Sequence, residues 1–292
     1  MKESIVVMAR DGLQLAATWF IAENPHDKVV LINSATGVKQ KFYHDFAAYL
    51  ASQGLNTYTF DYRGIGDSRP EDLEDILSNM RDWAKDVDAM ISHISRVHPG
   101  SKIIVLGHSV GGQLIGMSSL TRQADAFVMV GSQTPYWKNY SGSIMRLKLV
   151  IFWYGMIPFL TRLFSYFPSR SLGMFEDLPL NVARQWARWA KSPNYVFDEA
   201  PGLRASFAAL EHPALMLSFS DDILAPHRAV LDLKKHYSRL KFDHWHLRPE
   251  DALQRKIGHF GFFRKRSESL LWKEVVSWIF KTLPSAARNK AA

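Results

Sequence analysis

Gly107-His108-Ser109-Val110-Gly111 follows four apolar residues, Ile103 to Leu106, and leads into a small, apolar stretch from Val110 to Leu120. The pattern is G-x-S-x-G between what reads as a buried strand and a buried helix. In that setting the serine occupies a strained strand-to-helix corner with Oγ projecting. Glycines two before and two after it are needed because side chains there would collide with the strand and the helix. An ordinary glycine turn would satisfy the same five letters, so the strand–turn–helix context is what favours a nucleophile. A serine hydroxyl attacks poorly unless a base takes its proton.

In this arrangement an acid and then a histidine follow the serine along the chain. The stretch "ALMLSFSDDILAP" offers Asp221 and Asp222 just past a late strand. Asp222 is preferred, because the residues after it form the acid-x-x-x-Pro loop common after this strand in such enzymes. Asp221 is then a solvated turn residue. Of the 11 histidines, His259 stands in "KIGHFGFF", a glycine-flanked loop between the last expected strand and the final helix. An imidazole of ordinary pKa, about 6.5, accepts a proton near neutrality. Its other nitrogen would donate to Asp222, which fixes tautomer and orientation. His108 adjoins the serine but points away from Oγ, below the turn.

Acyl chemistry also needs donors for a developing oxyanion. The Val110 N–H at the start of the following helix is one. The loop "INSATGVKQKFY" after the third strand supplies the other, at Ala35 or at Ser34 beside it. His244 and His246 in "DHWHL" share one strand face, but no third metal ligand stands out. His44, His93 and His98 read as surface or boundary residues. No metal and no cofactor is expected.

These groups need a frame to hold them. "SIVVMAR" and "LQLAATWF" flank Asp11-Gly12 as a hairpin. Strands at 28–34, "NTYTFDY", "KIIVLGH", 126–133, 214–222 and "KFDHWHL" then alternate with helices at 41–54, about 71–98, 110–120, "HRAVLDLKKHY" and "ESLLWKEVVSWIFKTL". The alternation predicts an α/β fold, with a mostly parallel eight-stranded sheet and helices on both faces. It breaks at 135–205, where aromatics, methionines, arginines and prolines predict a helical insertion after the sixth strand. The core is then 1–134 with 206–292, and the tail "PSAARNKAA" is expected to fray.

The chain has 292 residues, 47 % hydrophobic and 22 % charged, a balance suited to a soluble domain with a sizeable core. With no cysteine, disulfides, thiolate metal sites and a cysteine nucleophile are excluded, and a reducing compartment fits. The N-terminus reads as the start of the fold and not as a secretion signal, so a cytoplasmic location is expected. A net charge of +8 is spread along the chain, the densest cluster being "FRKRS" at 263–267, so no nucleic-acid partner is expected. In "LKLVIFWYGMIPFLTRLF" (147–164), Lys148, Pro158 and Arg162 argue against a membrane span. Helices covering a hydrophobic cavity are the simpler account, with shallow membrane contact as the lesser alternative.

With serine, acid and histidine in this order, and Asp61, Arg63, Gly64, Gly66 and Ser68 matching a D-x-R-G-x-G-x-S loop, the chain resembles the α/β-hydrolase superfamily over almost its whole length. Within it, "ATGV", "DYRGIG", "GHSVGG" and "GHFGFF" are similar to bacterial hydrolases related to the serine aminopeptidase and monoacylglycerol lipase group. Many relatives carry His-Gly where this chain has Asn33-Ser34. The resemblance implies a Ser-His-Asp hydrolase, and residues 135–205 would be its cap. Trp137, Trp153, Tyr154, Phe159, Phe164 and Phe167 are expected to roof an apolar pocket, and Arg184 and Arg188 to form a basic face near Trp186 and Trp189. The leading expectation is a carboxylic-ester hydrolase acting on a hydrophobic small-molecule or acyl substrate. Amide, peptide or thioester cleavage, or acyl transfer, would use the same residues. A non-catalytic binding protein on the same fold is the alternative of another class.

Overall fold

A computed structural model describes residues 1–284, so the expected frayed tail lies outside the described residues from 285 on. The strands are β1 (Lys2–Met8), β2 (Gln14–Phe20), β3 (Lys28–Asn33), β4 (Asn56–Phe60), β5 (Lys102–His108) and β6 (Ala126–Val130). A two-residue pair follows, β7 (Tyr166–Phe167) and β8 (Leu178–Pro179), and then β9 (Pro213–Phe219) and β10 (Lys241–Leu247). Eight of them form one sheet in the order β1-β2-β4-β3-β5-β6-β9-β10. β1 pairs antiparallel with β2 around Gly12, whose φ of +82° suits the tight turn, and β2 pairs antiparallel with β4. All other neighbours in this sheet are parallel. β3, β5, β6 and β9 read as continuous apolar runs because both faces of the sheet are covered.

Helices α1 (His44–Ser52) and α9 (Lys273–Thr282) cover one face, where Phe46 and Leu50 join Trp272, Val275 and Ile279 in one core. α2 (Met80–Val97), α3 (Val110–Met117) and α8 (His227–Lys234) cover the other, where Trp83, Val87, Leu114 and Leu233 share the second core. α2 starts at Met80, well after the expected start near residue 71. Asn79 is the cause: its side chain accepts from Arg81 N–H at 2.8 Å while Asp82 accepts from Asn79 N–H at 2.9 Å, a closed capping box.

The stretch expected as a helical insertion holds α4 (Ser143–Val150), α5 (Ile157–Leu163) and α6 (Leu180–Lys191), and a fourth helix, α7 (Leu203–Ala208), runs across its expected end at residue 205. Two features depart from the expected pattern. The β7–β8 pair is too short for its residues to display a strand period. Pro158 does not interrupt the apolar stretch, because a wide π turn at Ile151–Met156 takes up its ring and Pro158 lies in the first turn of α5. Ser143–Leu163 is therefore one helical run of 21 residues with mean hydropathy 1.4, long and apolar enough to cross a membrane by length and composition. Only 17 % of its most apolar window is buried.

Candidate functional site

Ser109 ends the central strand β5 and caps α3 with φ 53° and ψ −116°, a conformation that L-residues avoid. The surrounding packing enforces it. A Cβ on Gly107 would overlap the Gly111–Gly112 backbone, and one on Gly111 would overlap the Asn33 carbonyl. The sharp corner turns Ser109 toward a cavity that His259 also lines. Both residues are 8 % exposed.

Asp222 follows β9 and is almost fully buried. Its Oδ1 accepts the Leu224 and Ala225 N–H groups at 2.9 and 2.8 Å, so the carboxylate is set by its own loop. Its Oδ2 accepts from His259 Nδ1 at 2.8 Å. With Nδ1 donating, a neutral His259 presents Nε2 as a proton acceptor. Asp221 is not the solvated turn residue expected from sequence. It is half-buried and accepts the Ile257 N–H at 2.9 Å and the Gly258 N–H at 3.0 Å, fastening the histidine loop by its backbone. The Leu224 carbonyl accepts in turn from Gln133 Nε2 at 3.1 Å and Tyr140 Oη at 2.9 Å, which braces the acid loop from the far side. These supports come from distant parts of the chain, and no local signal marks them.

His108 lies below the corner, fully buried, as its place before the serine implies. Its Nε2 donates to the His259 carbonyl and its Nδ1 accepts from Tyr43 Oη, both at 2.9 Å. Burial drives its pKa well below the ordinary histidine range, so it stays neutral in this role. Tyr43 Oη also accepts the Ala35 N–H at 2.8 Å. The Ala35 donor expected to be open to an oxyanion is therefore engaged. Ser34 does not line the cavity, and its Oγ donates to the Phe60 carbonyl at 3.5 Å. Thr36, next in the loop, lines the cavity, and its N–H has no partner among the described hydrogen bonds. The Val110 N–H starts α3, where helix geometry leaves the first amides without intrahelical acceptors.

The Asp61 loop is held together by its own carboxylate. Asp61 accepts from Gln40 N–H at 2.7 Å and Asp67 N–H at 3.0 Å, and any Cβ on Gly66 would strike its carboxylate. His244 and His246 do share a face, each bonded to Ser218 Oγ, at 2.9 and 2.8 Å. His227 stacks flat on His246 with ring centroids 4.0 Å apart. The nitrogens of His244 and His246 meet on the Ser218 hydroxyl, and among the described residues no group of three or more such ligands is arranged to hold a metal.

The cavity encloses about 1210 Å³ and runs between the Ser109 corner and the inserted helices. Of the six aromatics expected to roof it, only Trp153 lines it. Phe152, Phe175 and Trp186 supply the rest of the apolar ceiling, with Phe42 and Phe260 on the opposite wall. Tyr154, Phe159 and Phe164 are exposed to solvent instead. Arg188 pairs with Glu199 and Arg184 donates to Thr161 Oγ1 at 3.2 Å, and neither lines the cavity. Glu176, the single carboxylate among the described lining residues, is paired with Lys39 at 3.3 Å and Arg170 at 3.6 Å.

The family described as serine aminopeptidase, S33, matches residues 24–243. YfhR of Salmonella typhi is 30 % identical over 116 residues, 38 % of this chain and 38 % of YfhR, so the chain matches well under half the length of that curated relative. DcsB, solved in complex with its substrate analogue, superposes with TM-score 0.66 at 18 % identity over 97 % of this chain and 100 % of DcsB. The esterase EaEST from Exiguobacterium antarcticum gives TM-score 0.62 at 14 % identity over 95 % of this chain and 99 % of its own. At these identities the structural likeness establishes the α/β-hydrolase fold and nothing finer.

Proposed function

The chain belongs to the serine aminopeptidase S33 family of hydrolases, and on that premise we propose that it cleaves carboxylic esters of hydrophobic acyl substrates through an acyl-enzyme on Ser109. The observation that carries this reading is the His259 Nδ1–Asp222 Oδ2 hydrogen bond of 2.8 Å, made by an imidazole that lines the same cavity as the strained Ser109. In the proposed reaction, Ser109 Oγ attacks the ester carbonyl as His259 Nε2 takes its proton. The same imidazole returns that proton to the leaving alkoxide, then activates the water that releases the acid. Asp222 holds the tautomer and stabilises the imidazolium. The N–H of Val110 and that of Thr36, in place of the engaged Ala35, stabilise the oxyanion. Residues 135–205 act as a cap whose ceiling packs on the acyl chain.

Ester cleavage is favoured over removal of an N-terminal residue from a peptide, because a free α-ammonium calls for an unpaired carboxylate. Glu176 is already matched by two cations, and Lys148 and Arg264 add further positive charge to the lining. The test is turnover of a panel of short and medium p-nitrophenyl esters by the wild type and by Ser109→Ala, with product analysis for acyl transfer to acceptors other than water. Hydrolysis by the wild type alone supports the reading. Absence of turnover across the panel, together with tight binding of a ligand, moves the assignment to a binding protein on the same fold.

A further inference from the structure

The helical run Ser143–Leu163 is apolar on both sides, and only one side has a use inside the molecule. Phe152, Trp153 and Met156 line the cavity. Away from the cavity the run carries Ile144, Leu147 and Tyr154, all exposed, with Phe159 and Leu163 further along it, while the exposed Ile151 joins this stripe to the cavity rim. Leu147 is 60 % and Phe159 66 % exposed, a degree unusual for neighbouring large apolar side chains. The charge around them has one sign. From Ala126 to Phe175 the sequence contains no Asp or Glu, but it contains Lys138, Arg146, Lys148, Arg162 and Arg170. Arg146, Lys148 and Arg162 are exposed and form no ion pair with an acidic side chain among the described residues.

We propose that this face docks on an anionic lipid bilayer, with the Ser143–Leu163 helix lying in the headgroup plane. An apolar stripe flanked by unpaired cations is the chemistry that enters such an interface: the side chains reach the acyl boundary and the cations meet lipid phosphates. The helix lies flat and does not span, because its inner side chains are held against the cavity. A second copy of this chain is a poorer occupant, since a symmetric pairing would set the same unpaired cations against each other. Docking would also bring the cavity rim to the lipid. Ile151, Met174, Ile223 and Leu224 line the cavity and are themselves exposed. The proposal concerns binding alone and stands whether or not the ester reading does.

The experiment is co-sedimentation of the full chain with extruded vesicles of phosphatidylcholine, with or without about 30 mol % phosphatidylglycerol. The expected result is binding to the anionic vesicles that weakens with salt and is much weaker on neutral ones. Leu147→Glu with Phe159→Glu, neither of which lines the cavity, is expected to weaken binding roughly tenfold or more, with an unchanged melting temperature as the folding control. No binding of the wild type to anionic vesicles, equal binding to neutral ones, or binding unaltered in the variant would overturn the proposal. Self-association that the double variant abolishes, without vesicle binding, would also overturn it and assign the face to a second copy.

Discussion

Asp221 and Asp222, adjacent in the chain, hold the histidine loop at two different levels. Asp222 Oδ2 accepts a hydrogen bond from His259 Nδ1, while the Asp221 carboxylate accepts from the backbone N–H groups of Ile257 and Gly258 just before it. One aims the ring and the other anchors the peptide that carries it. The two positions therefore separate chemistry from support. Asp222→Asn keeps size but disturbs the tautomer, and kcat is expected to fall by about 10⁴-fold, as when the corresponding acid of another serine-hydrolase triad is neutralised. Asp221→Ala releases the loop and is expected to cost up to about 10²-fold in kcat, with a measurable loss of stability on denaturant unfolding. Equal losses at both positions would contradict the division.

Gly131 tests how tightly that pair is enclosed. Its φ is +56°, and a Cβ built there lies 3.3 Å from both Asp222 Oδ2 and His259 Nδ1. Gly131→Ala adds backbone strain of about 1 kcal/mol and presses on the hydrogen bond itself. Steady-state kinetics should give a loss in kcat larger than that stability change alone implies. Unaltered kcat with lowered stability would mean that the pair has slack.

Histidine burial sets an acid limit. His236 and His244 are both pushed down to about 4, first by burial and then by neighbouring Lys235 and Lys234 respectively. The folded chain therefore binds fewer protons at these sites than the unfolded chain, whose histidines titrate near 6.5. Their stabilising contribution is complete above that value and is lost as pH falls from about 6.5 toward 4. The melting temperature should drop across this window, and His236→Gln should make the drop shallower. A slope left unchanged by that variant would remove His236 from the account.

How much of this was legible in the sequence follows from how local each signal is. β10 appears at 241–247 as read, and the corner at Ser109 sits where strand, glycines and helix predict it, because each pattern is complete within about ten residues. The start of α2 was misplaced because apolar periodicity does not reveal that Asn79 and Asp82 close a cap. Asp221 and Ala35 were misjudged for a different reason. Their partners stand at Ile257, Gly258 and Tyr43, and whether a loop carboxylate or amide is free depends on what the fold brings beside it. Composition marks aromatics for a roof without showing which side of its element each lies on: Trp153 is buried against the cavity, while Tyr154, Phe159 and Phe164 are exposed. The supports from Gln133 and Tyr140 to the acid loop span more than 80 residues and left no local trace.

The central claim is that Ser109 is an activated nucleophile, and covalent capture tests it most directly. The full chain is treated with a fluorophosphonate probe, and the modified residue is located by peptide mass spectrometry. The account predicts stoichiometric labelling on Ser109, absent in Ser109→Ala and strongly slowed in Asp222→Asn. A folded wild type that resists the probe, or carries it on another residue, would contradict it.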